Sequence, residues 1–403
     1  MDMDTNHRGG PPGFVRVVSN SAEGGTVLIY PEYSGNRLYQ TLGNLQTTPR
    51  AGVVIPDFDN GDVLYVTGTT GVLVGNDADK FLPGSNIAVM LTVTAARFVE
   101  NGLPFRGKTG SRSPYNPHVR YLPTEASLTS GLGKTPNIKA LLIKKESITR
   151  TISRFRFRVV DPDKTGARWR AGQHVALSFA DELHQGYSHM RDDDPLSLND
   201  DFLRTFTVSS PPFGTAPSGG GTAEGEFEVT IRKVGAVTEF LFRQKVHSHL
   251  EIPLKGFGGQ FVIEQKEGEH IGFVAGGVGI TPLLAQLPGL DLPRLRLIWT
   301  VRRDDLNLVE DSFKKYPKLP LSTSLFITGT PPTSHYTKEE VLPDFSTLGV
   351  KVTYGRMTET GIVQDLAQHP AVHKWYICVG AALRKNLLTW LGGKEVVYED
   401  FGY

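Results

Sequence analysis

The stretch Ile271-Gly-Phe-Val-Ala-Gly276-Gly277-Val-Gly279-Ile280-Thr281-Pro282-Leu-Leu constrains this chain more than any other. An apolar run, a cluster of glycines and a proline-opened apolar segment follow one another without interruption. The pattern predicts a buried strand, a tight turn and a helix with proline in its first turn. Glycines let the backbone approach a ligand closely, and a helix start offers unpaired N–H groups to a phosphate. The glycine spacing is not GxGxxG, and a merely tight strand-to-helix turn would use the same residues. Further apolar runs at Leu295 to Val301, Ser324 to Thr328, Val350 to Tyr354 and Trp375 to Val379 alternate with helical patterns starting at Pro282, Ile362 and Ala382. That alternation predicts a parallel sheet covered by helices.

Upstream the chain reads as β structure. Residues 1–108 carry short β-rich runs at Phe14 to Val18, Thr26 to Tyr30, Gly52 to Ile55, Val63 to Thr67 and Ile87 to Thr94, which predicts an all-β domain. Residues 109–136 lose all hydrophobic period and read as a linker. A second β-rich region covers 137–264. In Ser153 to Val160, Phe155, Phe157 and Val159 alternate with Arg154, Arg156 and Arg158. This predicts a half-buried strand with a solvated basic face; no interleaved exposed aromatics support a nucleic-acid patch. His184 to Asp201 and Pro211 to Gly225 read as inserted loops. Asp192, Asp193 and Asp194 have no His or Glu at ligand spacing, so no metal site is expected.

Charge and cysteine content narrow the function classes. Lys plus Arg is 43 and Asp plus Glu is 42, so a formal charge of +1 gives no global attraction to nucleic acid or an anionic membrane. One cysteine, Cys378, excludes an intrachain disulfide, a thiolate zinc site and an iron–sulfur cluster, and fits a reducing, cytoplasmic location. The lead MDMDTNHRGGPPG has no apolar segment. Residues 271–290 are uncharged, but their five glycines and two prolines would span a bilayer badly, so a soluble chain is expected.

A second constellation is Arg204-Thr205-Phe206-Thr207-Val208-Ser209-Ser210, on what reads as one strand. An arginine neutralises a pyrophosphate, an aromatic ring covers a planar heterocycle and a hydroxyl hydrogen-bonds a ring nitrogen. Taken alone, an ordinary strand with an exposed arginine explains these residues better.

Arg204-x-Phe206-Thr207-x-Ser209 followed by Gly276-Gly277-x-Gly279-Ile280-Thr281-Pro282 resembles the ferredoxin-NADP reductase superfamily, across residues 137–403. Ala171-Gly172-Gln173, Ile231-Arg232-Lys233 ahead of Gly235-Ala236-Val237-Thr238, Gly258-Gly259-Gln260-Phe261 and the closing Tyr398-Glu399-Asp400-Phe401-Gly402 add to it. The resemblance implies an FAD-binding barrel followed by a domain for NADPH or NADH. It implies that Arg204 contacts the FAD pyrophosphate, Phe206 flanks the isoalloxazine and Thr207 hydrogen-bonds its hydride-accepting nitrogen, with Ser209, Ile231 and Arg232 on the same side. Thr238, as N-cap of a helix beginning near Glu239, would present its hydroxyl to the pyrophosphate. Gly276, Gly277, Gly279 and Thr281 would form the nicotinamide side, with Phe401 or Tyr403 over the other flavin face. Arg302 or Arg303 would meet a 2'-phosphate, which favours NADPH, although Asp304 and Asp305 follow and suit a free ribose hydroxyl. The resemblance also implies that Thr207, Thr281 and Cys378 come nearest the reacting atoms. Two departures are Phe206, where the family often has tyrosine, and Cys378-Val379-Gly380-Ala381, where it has Cys-Gly-Pro.

Tyr33-Ser-Gly-Asn36-Arg37-Leu-Tyr39-Gln40-Thr-Leu-Gly43-Asn44, continuing to Gly52, resembles the pyridoxamine 5'-phosphate oxidase-like split barrel, as in fungal fusion oxidoreductases. Only a short polar lead precedes Phe14. FMN at this shortened barrel is therefore a minor reading beside a structural or homodimerising one. The expected fold is multidomain, α+β and α/β: a split β-barrel-like domain (1–108), a linker (109–136), an antiparallel FAD-binding barrel (137–264) and a parallel-sheet NAD(P)-binding domain (265–403). The expected function is hydride transfer from NAD(P)H to FAD and electron delivery to a small molecule or partner protein, in fungal specialised metabolism. The alternatives are a non-catalytic flavin-binding or interaction protein, or FMN-dependent oxidase chemistry at the N-terminal barrel.

Overall fold

The computed structural model describes residues 4–33, 39–108, 110, 119–125, 138–162, 164, 166–183, 202–215, 222–329 and 344–399. The chain divides into two compact units, one of Met1–Thr135, Phe179–Leu203 and Gly402–Tyr403, the other of Pro136–Ser178 and Arg204–Phe401.

In the first unit, β1 (Arg16–Ser21), β2 (Gly25–Pro31), β3 (Arg50–Pro56), β4 (Val63–Val74) and β5 (Ile87–Val99) make an antiparallel sheet in the order β1-β2-β5-β4-β3. Three short helices accompany it: α1 (Gln40–Thr47), α2 (Asn76–Phe81) and α3 (Ala180–Leu183). The two within the first 108 residues correct the all-β expectation. Each has eight residues or fewer, too short to show a helical period, and is held by packing rather than propensity. Leu42 and Leu45 of α1 pack with Ile87 and Val89, and Ala78 of α2 packs with Ile29, Leu82 and Ala88. Residues 34–38 of the motif beginning at Tyr33 lie outside the described residues, as does most of the 109–136 segment.

The second unit opens with β6 (Lys139–Ser147), β7 (Ile152–Val160), β8 (His174–Ser178), β9 (Leu203–Thr207), β10 (Glu226–Arg232) and β11 (Glu251–Gly258), in the order β10-β7-β6-β11-β8-β9. Just past β9, Val208 bridges Val229 of β10 and the Ser209 N–H donates to the Glu228 carbonyl at 2.7 Å. Those contacts join the first and last strands of the list, so the sheet closes into a barrel. Helix α4 (Ala236–Arg243) follows β10.

The basic stripe on β7 corrects its expectation at one end: Arg158 is exposed, but Arg154 is buried. Arg154 is 3% exposed, and its guanidinium is held by Asp311, Glu146 and Glu228. Arg156 donates to Glu228 at 2.7 Å and Arg158 to Glu226 at 2.9 Å. Register explains the last two pairs, because Arg156 lies opposite Glu228 and Arg158 opposite Glu226 on β10. Burial alone would raise the pKa of Glu228, but Lys315, Arg154 and Arg156 together hold it below its usual value. Period two correctly separates the two faces of β7, but partners from distant sequence decide that the charged face is buried at Arg154 and half-covered at Arg156, while Arg158 stays exposed.

The rest of the unit alternates β12 (His270–Gly276), α5 (Thr281–Gln286), β13 (Leu295–Arg302), α6 (Leu306–Lys315), β14 (Thr323–Thr328), β15 (Lys351–Tyr354), α7 (Glu359–Gln368), β16 (Val372–Cys378), α8 (Ala381–Trp390) and β17 (Glu395–Tyr398). The six strands are parallel, in the order β15-β14-β13-β12-β16-β17. Ile271, Phe273 and Ala275 of β12 enter a core cluster with Leu283, Trp299 and Phe313, while Val274 enters another with Ile298, Ile362 and Trp375. A strand buried on both faces reads as a continuous apolar run. The chain steps outward from β12 to β15 and then returns to the far side of β12 with β16. Strand order therefore reverses between β12 and β16, where open α/β sheets bind ligands at the carboxyl ends of their strands.

Candidate functional site

At that reversal β12 ends on Gly276, a 3-10 turn covers Gly277–Ile280, and α5 begins at Thr281 with Pro282 in its first turn. Gly277 is left-handed, with φ 54°, and its carbonyl accepts the Trp299 indole N–H at 3.0 Å. A Cβ on Gly279 would lie 2.1 Å from the Cys378 carbonyl oxygen, so only glycine lets the turn pass the end of β16. Gly276, Gly277 and Gly279 are partly exposed, whereas Thr281 is buried. The turn thus offers backbone to an incoming ligand.

Cys378 is 1% exposed within the core, and burial first, then Glu399, pushes its thiol far above the ordinary range. It is a packed thiol, not a thiolate nucleophile. Gly380, two residues along, is exposed. Sequence reasoning did not single out Glu399. Its carboxyl follows β17, burial raises its pKa to about 7, and its Oε2 has no hydrogen-bond partner among the described residues. Nothing local marks that glutamate, since its burial comes from tertiary packing. Phe401 and Tyr403 lie outside the described residues.

Beyond the turn, Arg302 at the end of β13 is exposed and Arg303 partly so. Asp305 differs, being 1% exposed and accepting Arg232 Nη2 at 2.6 Å, so its carboxylate is not open to a ribose hydroxyl.

On the barrel, Arg204 and Phe206 of β9 are partly exposed and Thr207 is buried. The Ser209 hydroxyl lies 2.9 Å from the Thr230 hydroxyl and is spent on barrel closure. Ile231 is a buried core residue of β10, and Arg232 turns its guanidinium to Asp305 and Thr151. Thr238 is not the N-cap of α4. Gly235 is, and Thr238 is the third helical residue, accepting the Val234 and Gly235 N–H groups at 2.8 and 3.0 Å. The preceding loop needs those acceptors, which draws the hydroxyl back and leaves Ala236 exposed at the helix start. Sequence reasoning did not single out His174 either, on β8 beside β9. Its Nε2 is buried without a partner among the described residues, and burial lowers its pKa. Its place directly after Gly172-Gln173 is the one local signal that could have pointed to it.

Among the described residues no group of three or more His, Cys, Asp or Glu is placed to hold a metal, and no helix is long and apolar enough to cross a membrane. The sequence matches no family model and no curated protein. Among solved structures the chain is similar to the flavohem-like FAD/NAD binding domain of nitric oxide dioxygenase from Vibrio cholerae O1 biovar El Tor, at 14% identity and a TM-score of 0.45, covering 66% of this chain and 99% of that one. It is also similar to the CS-b5R domains of human Ncb5or in the NAD+ form, at 15% identity and a TM-score of 0.43, over 96% and 99% of the two chains. A third is ferredoxin-NADP+ reductase from Plasmodium falciparum with 2'P-AMP, at 16% identity and a TM-score of 0.40, over 66% and 96%.

Proposed function

We propose that this protein is an NAD(P)H-dependent flavoprotein oxidoreductase that takes hydride from NADPH, with NADH as the alternative, and passes electrons to a small-molecule or protein acceptor. One juxtaposition carries the reading. A closed antiparallel barrel bearing Arg204, Phe206 and Thr207 on β9 shares a compact unit with a parallel sheet whose strand order reverses at the Gly276–Gly279 turn. The barrel residues fit FAD: β9 presents a cation and an aromatic ring, α4 presents its start, and the partnerless buried His174 nitrogen is an atom a bound group would satisfy.

FAD, when bound, supplies a hydride acceptor that can release electrons onward. Arg204 and the exposed start of α4 would hold its pyrophosphate, Phe206 would cover the isoalloxazine and Thr207 would face its reacting edge. Ser209, Ile231 and Thr238 shape that surface from behind. The glycine turn and Thr281 would seat the nicotinamide, with buried Cys378 as the wall, and Arg302 or Arg303 would meet the 2'-phosphate. The protein's task is to orient two planar groups and exclude water, and no side chain need move a proton for that step.

Bleaching of the bound flavin's visible absorbance by NADPH or NADH under anaerobic conditions is the expected result. Full persistence of the absorbance would replace this reading with the non-catalytic flavin-binding alternative. Arg204→Ala should lower FAD occupancy through loss of a charge-assisted bond worth about 1.5–3 kcal/mol, and unchanged flavin content would remove Arg204 from the site.

The finer reading treats the first unit as a split barrel that forms a homodimer and serves the reductase in fungal specialised metabolism. Ile55 and Phe98, exposed on β3 and β5 and both in register with Leu64 of β4, lie on one face of the sheet and support the dimer, which sedimentation equilibrium would test. FMN released beside FAD on denaturation would instead favour oxidase chemistry there.

A further inference from the structure

Asp305 closes the 3-10 turn Arg303–Asp305 that links β13 to α6. Its side chain is 1% exposed, and its Oδ2 accepts Arg232 Nη2 at 2.6 Å. Oδ1 lies 3.4 Å from Arg232 Nη1 and 3.5 Å from the hydroxyls of Thr149 and Thr151. Arg232 Nη1 donates in turn to Thr151 at 3.2 Å. A Cβ on Gly277 would lie 3.2 Å from Arg232 Nη2, so the same guanidinium also rests against the glycine turn. One arginine at the end of β10 thus touches the barrel, the dinucleotide turn and the turn carrying Arg303. Farther along α6, Asp311 pairs with Arg154, and Lys315 pairs with Glu228 at 3.6 Å. The whole helix is sutured to the barrel by ion pairs.

For stability alone, an apolar pair of similar size would serve as well as a buried ion pair. What the guanidinium fork adds is direction, since it accepts a carboxylate in few orientations. Arg303 shares a single helical turn with Asp305, so fixing that carboxylate fixes Arg302 and Arg303 relative to the glycine turn.

We propose that Asp305, clamped by Arg232, is a positioning residue that sets recognition of the dinucleotide's 2'-phosphate by Arg302 and Arg303. This deepens the reductase reading and rests on it. Arg232 then acts as an anchor between barrel and sheet, not as an FAD ligand. The clamp also explains why Asp305, despite being a carboxylate after β13, does not select a free ribose hydroxyl.

The test is calorimetric titration of the full-length protein with 2'-phospho-AMP and with AMP. Wild type should bind 2'-phospho-AMP more tightly. Asp305→Asn should keep the FAD spectrum yet lose at least about fivefold of that preference, the lower end of ordinary site-to-site coupling. Arg232→Lys, which keeps charge and loses the fork, should fall between. Should Asp305→Asn fold poorly, the double variant Asp305→Leu with Arg232→Met is expected to regain the melting temperature without regaining the preference. Full preference in that double variant, or in a well-folded Asp305→Asn, would show a purely structural pair and overturn the proposal. Wild type that does not distinguish the two nucleotides would overturn it too. Wild type that distinguishes them while its flavin resists NADPH and NADH would overturn only the reductase reading.

Discussion

Arg154→Ala should cost the second unit about 3–5 kcal/mol, the usual consequence of removing one member of a buried charge cluster. The guanidinium is 3% exposed and is shared by Asp311, by Glu146 at 3.3 Å and by Glu228 at 3.7 Å. Its loss strands a buried glutamate whose ionised form is kept by Lys315, Arg154 and Arg156 together. For a unit of this size the melting temperature should fall by roughly 10 °C. Arg158→Ala is the internal control, because its side chain is 55% exposed and its pair with Glu226 should contribute well under about 1 kcal/mol. Thermal unfolding followed by circular dichroism separates the two. Equal, small losses would mean that water screens the whole stripe.

Glu399→Gln should stabilise the protein, and only on the alkaline side. Burial raises the Glu399 pKa from 4.5 to about 7, so the folded state favours the neutral acid. Below pH 4.5 both folded and unfolded chains carry the proton, and no penalty exists. As pH rises from there, the unfolded chain gives up its proton first, so stability falls through the window up to about pH 7 and stays lowered above it. The difference between the two values corresponds to about 3 kcal/mol. Urea unfolding at about pH 5 and about pH 8 should show the variant's advantage growing with pH. An advantage that is flat across that range would mean Glu399 ionises in the fold as freely as in solution.

Much of the architecture could be read from local pattern. The two-faced burial of β12 appears as an unbroken apolar run, and its turn as Gly276, Gly277 and Gly279 ahead of Thr281-Pro282. Both signals are local, because strand burial and backbone strain are set by the residues that carry them. The alternation on β7 likewise separates Phe155 and Phe157 from Arg154 and Arg156. The short helices α1 and α2 and the edge strand β17 escaped, since segments of four to eight residues fold by packing against what surrounds them.

The site divides along the same line. Residue order alone named the glycine turn, the Arg204–Ser209 strand and the basic end of β13. Only the tertiary structure decided that three of the neighbouring polar side chains are already engaged. Barrel closure engages the Ser209 hydroxyl with Thr230, the loop before α4 draws back the Thr238 hydroxyl, and Asp305 is committed to Arg232. It also buried Glu399 and left the His174 nitrogen without a partner. The physical reason is common to all five: a side chain's chemistry is written in its own residue, but its protonation and its free hydrogen-bonding capacity depend on neighbours from distant sequence, which only the folded chain brings into reach.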